Sequence, residues 1–165
     1  KSRAYLNATK DSYVLNGWPI RRGDFVAADV FEWSTRARKG GALFDCVFLD
    51  PPFFSSTSAG RVDLGAEANR IVNKVRPLVG DGGWLVTVNN ALFLSGRDTM
   101  SMLEGLCADG YLSIETTLPV PDDVLGLARE GAPAWPTDPA PFNHPTKIAV
   151  LRVRRKDGRR ASPEE

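Results

Sequence analysis

Histidine and cysteine are almost missing from this chain: its 165 residues hold one histidine, His144, and two cysteines, Cys46 and Cys107. A zinc site takes about four nitrogen or sulfur ligands at characteristic spacings, and these residues do not supply them. Two cysteines without such spacing fit two buried thiols in a reducing compartment. No apolar run approaches the ~20 residues needed to cross a bilayer, and no signal-peptide pattern opens the sequence. The expectation is a cytoplasmic protein with no membrane partner. Charge of one sign is not in excess either. The net charge is +1, too small for the whole domain to be a general polyanion binder. No internal repeat is visible.

What is present is an ordinary globular composition, 42% hydrophobic and 25% charged, in a chain long enough for one domain with a real core. Against that background one tetrapeptide stands out, Asp50-Pro51-Pro52-Phe53. It ends the apolar run Phe44-Asp45-Cys46-Val47-Phe48-Leu49, which reads as a buried strand. The carboxyl ends of strands are where open α/β sheets place chemistry. Two prolines stop the strand, remove two N–H donors and leave carbonyls free to accept. Phe53 adds a flat apolar face beside those acceptors, and a planar nitrogen-bearing ring can stack there. The alternative is a plain strand-ending turn.

Elements alternate along the chain. Residues 1–16 read as a helix stopped by Gly17 and Pro19. Residues 24–29 read as a short strand ending in an acid, and 31–38 as a helix broken at Lys39-Gly40-Gly41. After the Phe44–Leu49 strand comes a polar loop, 55–61, then a helix over 64–79 with Ala68, Ile71, Val72, Val75, Leu78 and Val79 on its apolar face. Asp81-Gly82-Gly83 reads as a tight turn before a strand at 84–88. Ser95 is a candidate cap for a helix reaching Ala108. Strands follow at 111–118 and 147–153. Between them, residues 119–145 hold seven of the twelve prolines, too long a stretch for a passive connection and read as a functional flap. Such alternation predicts an α/β domain over residues 1–154 with a mostly parallel sheet. The last two strands have no helix between them and are expected to pair antiparallel at the edge. Arg152, Arg154, Arg155, Lys156, Arg159 and Arg160 crowd the carboxyl end. Residues 155–165 are expected to be a flexible basic tail, either merely solvated or contacting RNA phosphates.

The Asp50-Pro51-Pro52-Phe53 string resembles the (Asn/Asp)-Pro-Pro-(aromatic) motif of class I S-adenosylmethionine-dependent methyltransferases that modify nucleobases or amide nitrogens. The antiparallel ending also resembles that Rossmann-like fold. The resemblance covers nearly the whole chain and exposes a gap. Family members begin with a strand, a glycine-rich turn that approaches the cofactor, a helix, and a second strand ending in an acid. This sequence has none of these. It resembles the carboxyl-terminal part of the catalytic domain. The amino-terminal part of the same domain, or a partner chain, is then expected to complete it.

Three segments resemble large-subunit ribosomal RNA methyltransferases, a group with guanine-N7 and cytosine-C5 enzymes. They are residues 44–55, residues 82–90, and Phe142-Asn143-His144-Pro145-Thr146-Lys147. Cytosine-C5 relatives carry a nucleophilic cysteine where this chain has Asn90, and carbon methylation needs that thiolate. The resemblance therefore implies transfer from S-adenosylmethionine to a nucleobase nitrogen, with guanine in large-subunit ribosomal RNA as the target. It implies a target-holding role for Asp50, Pro51, Pro52 and Phe53, with Asp50 also near the cofactor. Asp29 would bind the adenine amine and Val30 would pack on the adenine ring; the competing reading of Asp29 is a helix N-cap. Phe54, Asn89, Asn90, His144 and Lys147 are candidate substrate contacts, with Lys147 assigned to a phosphate. Asn89 and Asn90 can equally be a strand-ending turn, and His144 merely structural. Other readings are a nitrogen of DNA or of a protein amide as the target, or a cofactor-incompetent domain that binds RNA or a partner.

Overall fold

The computed structural model describes residues 3–21, 23–51, 64–92, 94–121, 124 and 138–161. The elements are α1 (Arg3–Leu15), α2 (Val30–Lys39), β1 (Phe44–Leu49), α3 (Leu64–Val75), β2 (Val79–Asn89), α4 (Gly96–Cys107), β3 (Leu112–Leu118) and β4 (Lys147–Val153). Four strands form one sheet in the order β1-β2-β4-β3. β1 and β2 pair parallel, and β4 pairs antiparallel with both β2 and β3. Three strands thus share a direction. The reversed strand is β4, which lies inside, with β3 outermost. No described helix is long and apolar enough to cross a membrane.

Local punctuation sets most element ends. Asp29 caps α2, its Oδ1 accepting from the amides of Phe31 at 2.9 Å and Glu32 at 3.3 Å. Ser95 caps α4 through the Asp98 amide at 3.0 Å. The helix expected over 64–79 instead ends at Val75 and tightens into a 3-10 turn, Arg76–Leu78. Pro77 has no amide to donate and disfavours the helical conformation at Arg76. Released early, the chain enters β2 at Val79 rather than at Trp84.

The expected turn at Asp81-Gly82-Gly83 therefore lies within β2. Phe44 pairs with Val79 but Cys46 pairs with Trp84, so extra residues of β2 bulge out. Gly82 takes φ +74° there. A Cβ on Gly83 would sit 2.7 Å from the Asp45 carbonyl oxygen, so the bulge needs glycine for close approach as well as for φ.

The core lies on one face of the sheet. Leu49, Leu85, Ala149, Leu151 and Val153 meet Val72 and Val75 of α3 and Leu103 and Leu106 of α4. Each such side chain contributes roughly 1.5–3 kcal/mol by leaving water. The other face is more open: Phe48 is 74% exposed, and Trp84 is covered by the Arg152 guanidinium, 3.2 Å from its ring centre.

Three expectations need correction. Residues 24–29 form no strand: the Ala28 amide turns back to the Val26 carbonyl, and Phe25 packs edge-on against Tyr13. A strand needs a neighbour to take its backbone groups, and no described strand lies there. β1 is not buried but forms an edge, paired only with β2 among the described residues. The thiols are consequently not both buried; Cys46 is exposed and Cys107 half-buried.

The segment after Arg154, expected as a flexible tail, runs back along β2 as far as described. The Arg155 amide donates to Asp81 Oδ1 at 2.7 Å, its guanidinium donates to the Pro77 carbonyl at 2.6 Å, and the Asp81 amide donates to the Arg159 carbonyl at 2.7 Å.

Gly96 fixes the other end of the molecule. Its amide donates to the Asp138 carbonyl, and a Cβ there would collide with Ala140 and approach the Pro139 oxygen to 2.6 Å. Gly96→Ala is expected to cost about 2 kcal/mol by overpacking, measured as a lower urea midpoint. An unchanged midpoint would mean that residues 138–140 move aside freely.

Candidate active site

Parallel pairing places the carboxyl ends of β1 and β2 side by side, because Leu49 pairs with Thr87. The next residues on each strand are the candidates. Asn90 Nδ2 donates to Asp50 Oδ1 at 3.0 Å. Asp50 is exposed, and its second oxygen has no protein donor among the described residues. Pro51 lines a cavity of about 20 Å³ beneath, with Leu49, Val88, Asn89 and Lys147.

Asn89 turns inward and is buried. Its Oδ1 accepts from the Ala91 amide at 2.8 Å, an Asx turn that ends the strand. Its Nδ2 has no hydrogen-bond partner among the described residues.

Lys147 stands opposite Asn89 in the β2–β4 register. It is 1% exposed, and its Nζ donates to the Ala91 carbonyl at 3.2 Å and the Pro145 carbonyl at 2.8 Å. Burial pushes its pKa down. The expected phosphate contact by Lys147 is corrected: a side chain spent on two internal carbonyls has no surface to offer a phosphate. It instead ties the turn after β2 to the segment that enters β4.

That segment is held elsewhere as well. Asn143 exchanges two hydrogen bonds with the Val120 backbone, both 2.9 Å, pinning together the two ends of the proline-rich stretch. Most of that stretch, including Trp135, lies outside the described residues. His144 is half-buried, and its Nδ1 accepts from the Thr146 amide at 3.0 Å.

Asp29 is the α2 cap described above, with one carboxylate oxygen committed. The cap and an adenine-amine contact are compatible, since the other oxygen has no described donor. Val30 packs against the core. No hydrogen bond links Asp29 to the Asp50 cluster among the described residues. Pro52, Phe53 and Phe54 lie outside the described residues, as does the 55–61 loop.

The structure therefore brings together Asp50, Pro51, Asn89, Asn90 and Lys147. Sequence reasoning missed the Asn143 clamp and the internal role of Lys147. Both depend on which backbone groups come close in space; only the position of Lys147 at the first residue of a strand hinted at burial. Neither cysteine joins the cluster, and desolvation raises both thiols above their ordinary pKa. The arrangement offers acceptors and the side-chain amides of Asn89 and Asn90, with no thiolate.

No protein-family model matches the sequence. Curated relatives do. The ribosomal RNA large subunit methyltransferase K/L of Shewanella amazonensis is 31% identical over 128 residues, covering 76% of this chain and 16% of its own length. The protein of the same name from Psychrobacter cryohalolentis is 32% identical over 120 residues, covering 70% and 14%. The chain thus spans about a sixth of the length of these relatives. Among solved structures, a SAM-dependent methyltransferase from Streptococcus mutans superposes with a TM-score of 0.70 at 14% identity, over 92% of this chain and 36% of that one. A methyltransferase complexed with SAH, SMU.776, gives 0.72 at 14% identity, over 92% and 37%. These two likenesses speak for the fold.

Proposed function

We propose that this chain, similar to the ribosomal RNA large subunit methyltransferases K/L and alike in fold to a methyltransferase complexed with SAH, is part of a class I S-adenosylmethionine-dependent methyltransferase and holds the target base for methyl transfer to a guanine nitrogen of large-subunit ribosomal RNA. The observation that carries this reading is the Asn90–Asp50 hydrogen bond, which fixes a carboxylate at the joined ends of two parallel strands. S-adenosylmethionine, when bound, supplies a methyl group activated on a sulfonium. Asp29 with its uncommitted oxygen fits the adenine amine, and Val30 fits the adenine ring.

Guanine N7 bears a lone pair and no proton, so its methylation requires positioning rather than a general base. The Asp50 carboxylate accepts from the base amine, and the Pro51 carbonyl adds a second acceptor. As N7 gains the methyl the base becomes cationic and its amine a stronger donor, so the carboxylate that holds the amine stabilises the charge as it develops. Asn90 restrains the carboxylate and supplies the amide where a carbon-methylating relative needs a thiolate. An exocyclic amine target would use the same two acceptors.

The open edge of β1 and the unpaired stretch at 24–29 favour a second element in this reading. The cofactor-holding strands come from an amino-terminal part of the same domain or from a partner chain. Residues 1–154 then act as the carboxyl-terminal part of a cytoplasmic enzyme. Titration calorimetry of residues 1–165 with S-adenosylmethionine is expected to give little or no heat, while the full-length protein binds. Incubating the full-length protein with unmodified ribosomal RNA and labelled cofactor should put the label on a guanine nitrogen after digestion to nucleosides. Label on a cytosine carbon, or only on protein, refutes the assignment.

A further inference from the structure

At the end of the sheet away from Asp50, a groove of about 380 Å³ opens between the 3-10 turn, the start of β3 and the end of β4. Its floor is Tyr111. The Arg76 guanidinium lies 5.9 Å from the ring centre and the Lys156 ammonium 5.0 Å. Lys156 is exposed. Arg154 is exposed on the rim, and its guanidinium has no partner among the described residues, although its amide is fixed to the Tyr111 carbonyl at 2.9 Å.

The acids in the groove are already engaged. Asp109 accepts from Arg76 at 2.8 Å, and Asp157 accepts from Arg155 at 2.8 Å and Arg159 at 2.9 Å. Asp109 offsets Arg76, and Asp157 is shared between Arg155 and Arg159. Arg154 and Lys156 are the surplus, beside an aromatic hydroxyl, in a chain whose net charge is only +1. The positive charge is therefore local, and it is concave.

We propose that this groove binds the phosphodiester backbone of RNA, with Arg154 and Lys156 as the phosphate contacts. The proposal rests on the reading above only in taking RNA as the substrate. β4 runs from Lys147 at the candidate active site to Val153 at the groove, which puts the two about 20 Å apart at ~3.3 Å per residue. A contact at that distance positions the RNA without reading the target base. Acidic peptides are the competing occupant; they lack the fixed phosphate spacing but share the charge.

The test is fluorescence anisotropy of a labelled RNA hairpin with the full-length protein, without cofactor, across a salt series. Arg154→Ala with Lys156→Ala should weaken binding about tenfold and reduce the log–log salt slope by about 2, one for each cation removed. In a methyl-transfer assay the same variant should raise KM and leave kcat unchanged. Arg154→Lys should retain most of the affinity. Unchanged affinity and slope overturn the proposal, and so does a poly-glutamate peptide that displaces the hairpin at equal concentration. Because binding is read without transfer, a wrong methylated nucleoside would sink the guanine assignment and leave this result standing.

Discussion

Asp50→Ala is expected to reduce methyl transfer by about 10²- to 10³-fold, the usual cost of removing one preorganised polar group from a reacting centre. The fold should barely notice. Asp50 is exposed, and the variant loses one hydrogen bond, from Asn90. Exposed losses of this kind cost about 1 kcal/mol or less. Measuring kcat with ribosomal RNA alongside a thermal melt separates the two effects. A melt lowered by more than about 8 °C, with activity falling only in proportion, would make Asp50 a turn-holding residue. Asn90→Ala should act in the same direction but more weakly, since it frees the carboxylate without removing it.

The largest stability effect is expected at Lys147. Lys147→Ala strands the Ala91 and Pro145 carbonyls and leaves a cavity where the stem was. Unsatisfied buried acceptors and lost packing together cost about 3–5 kcal/mol. Lys147→Met keeps the stem volume and removes an amine that burial already disfavours as a cation, so its cost should be smaller, about 1–2 kcal/mol. Both variants release the turn that begins at Asn89, and with it the amide that restrains Asp50. Urea unfolding gives the stability, and kcat gives the functional consequence. A neutral Lys147→Ala would mean that the two carbonyls find other donors.

Lys147 also shows where sequence reasoning stops. The family resemblance of residues 142–147 suggested a strand-opening residue reaching for phosphate. Its neighbours in space are set by the β2–β4 register, which no local pattern encodes. By contrast, Asp29, Gly40 and Ser95 announced helix ends because capping involves only residues a few positions away. Pro77 shortens α3 below its expected 64–79 span by the same local logic, and β2 starts early as a result. The apolar run at β1 identified a strand correctly, and the family strands missing from the sequence already implied that one side of it is left without a partner. Residues 24–29 had a strand-like composition, but composition cannot supply a partner. Antiparallel pairing of the last two strands was legible from topology alone, since no helix separates them. The Asp50–Asn90 contact was half legible: both were named as candidates, and only the parallel register showed that they touch.

The position of β4 has a consequence for how the protein is made. It is the last of the described strands in sequence, yet it lies between β2 and β3 and holds both. Its contacts with β2 span about sixty residues of chain. On the ribosome, β2 can pair with β1 early, but β3 emerges with no neighbour and β2 with one side bare. Closure waits a few seconds at ordinary elongation rates while the proline-rich stretch is synthesised. Local helices gain little from that interval, because the core residues Ala149, Leu151 and Val153 have yet to appear. The described sheet is thus a late, nearly all-or-none event, and its unpaired strands stay open to a chaperone until β4 is delivered.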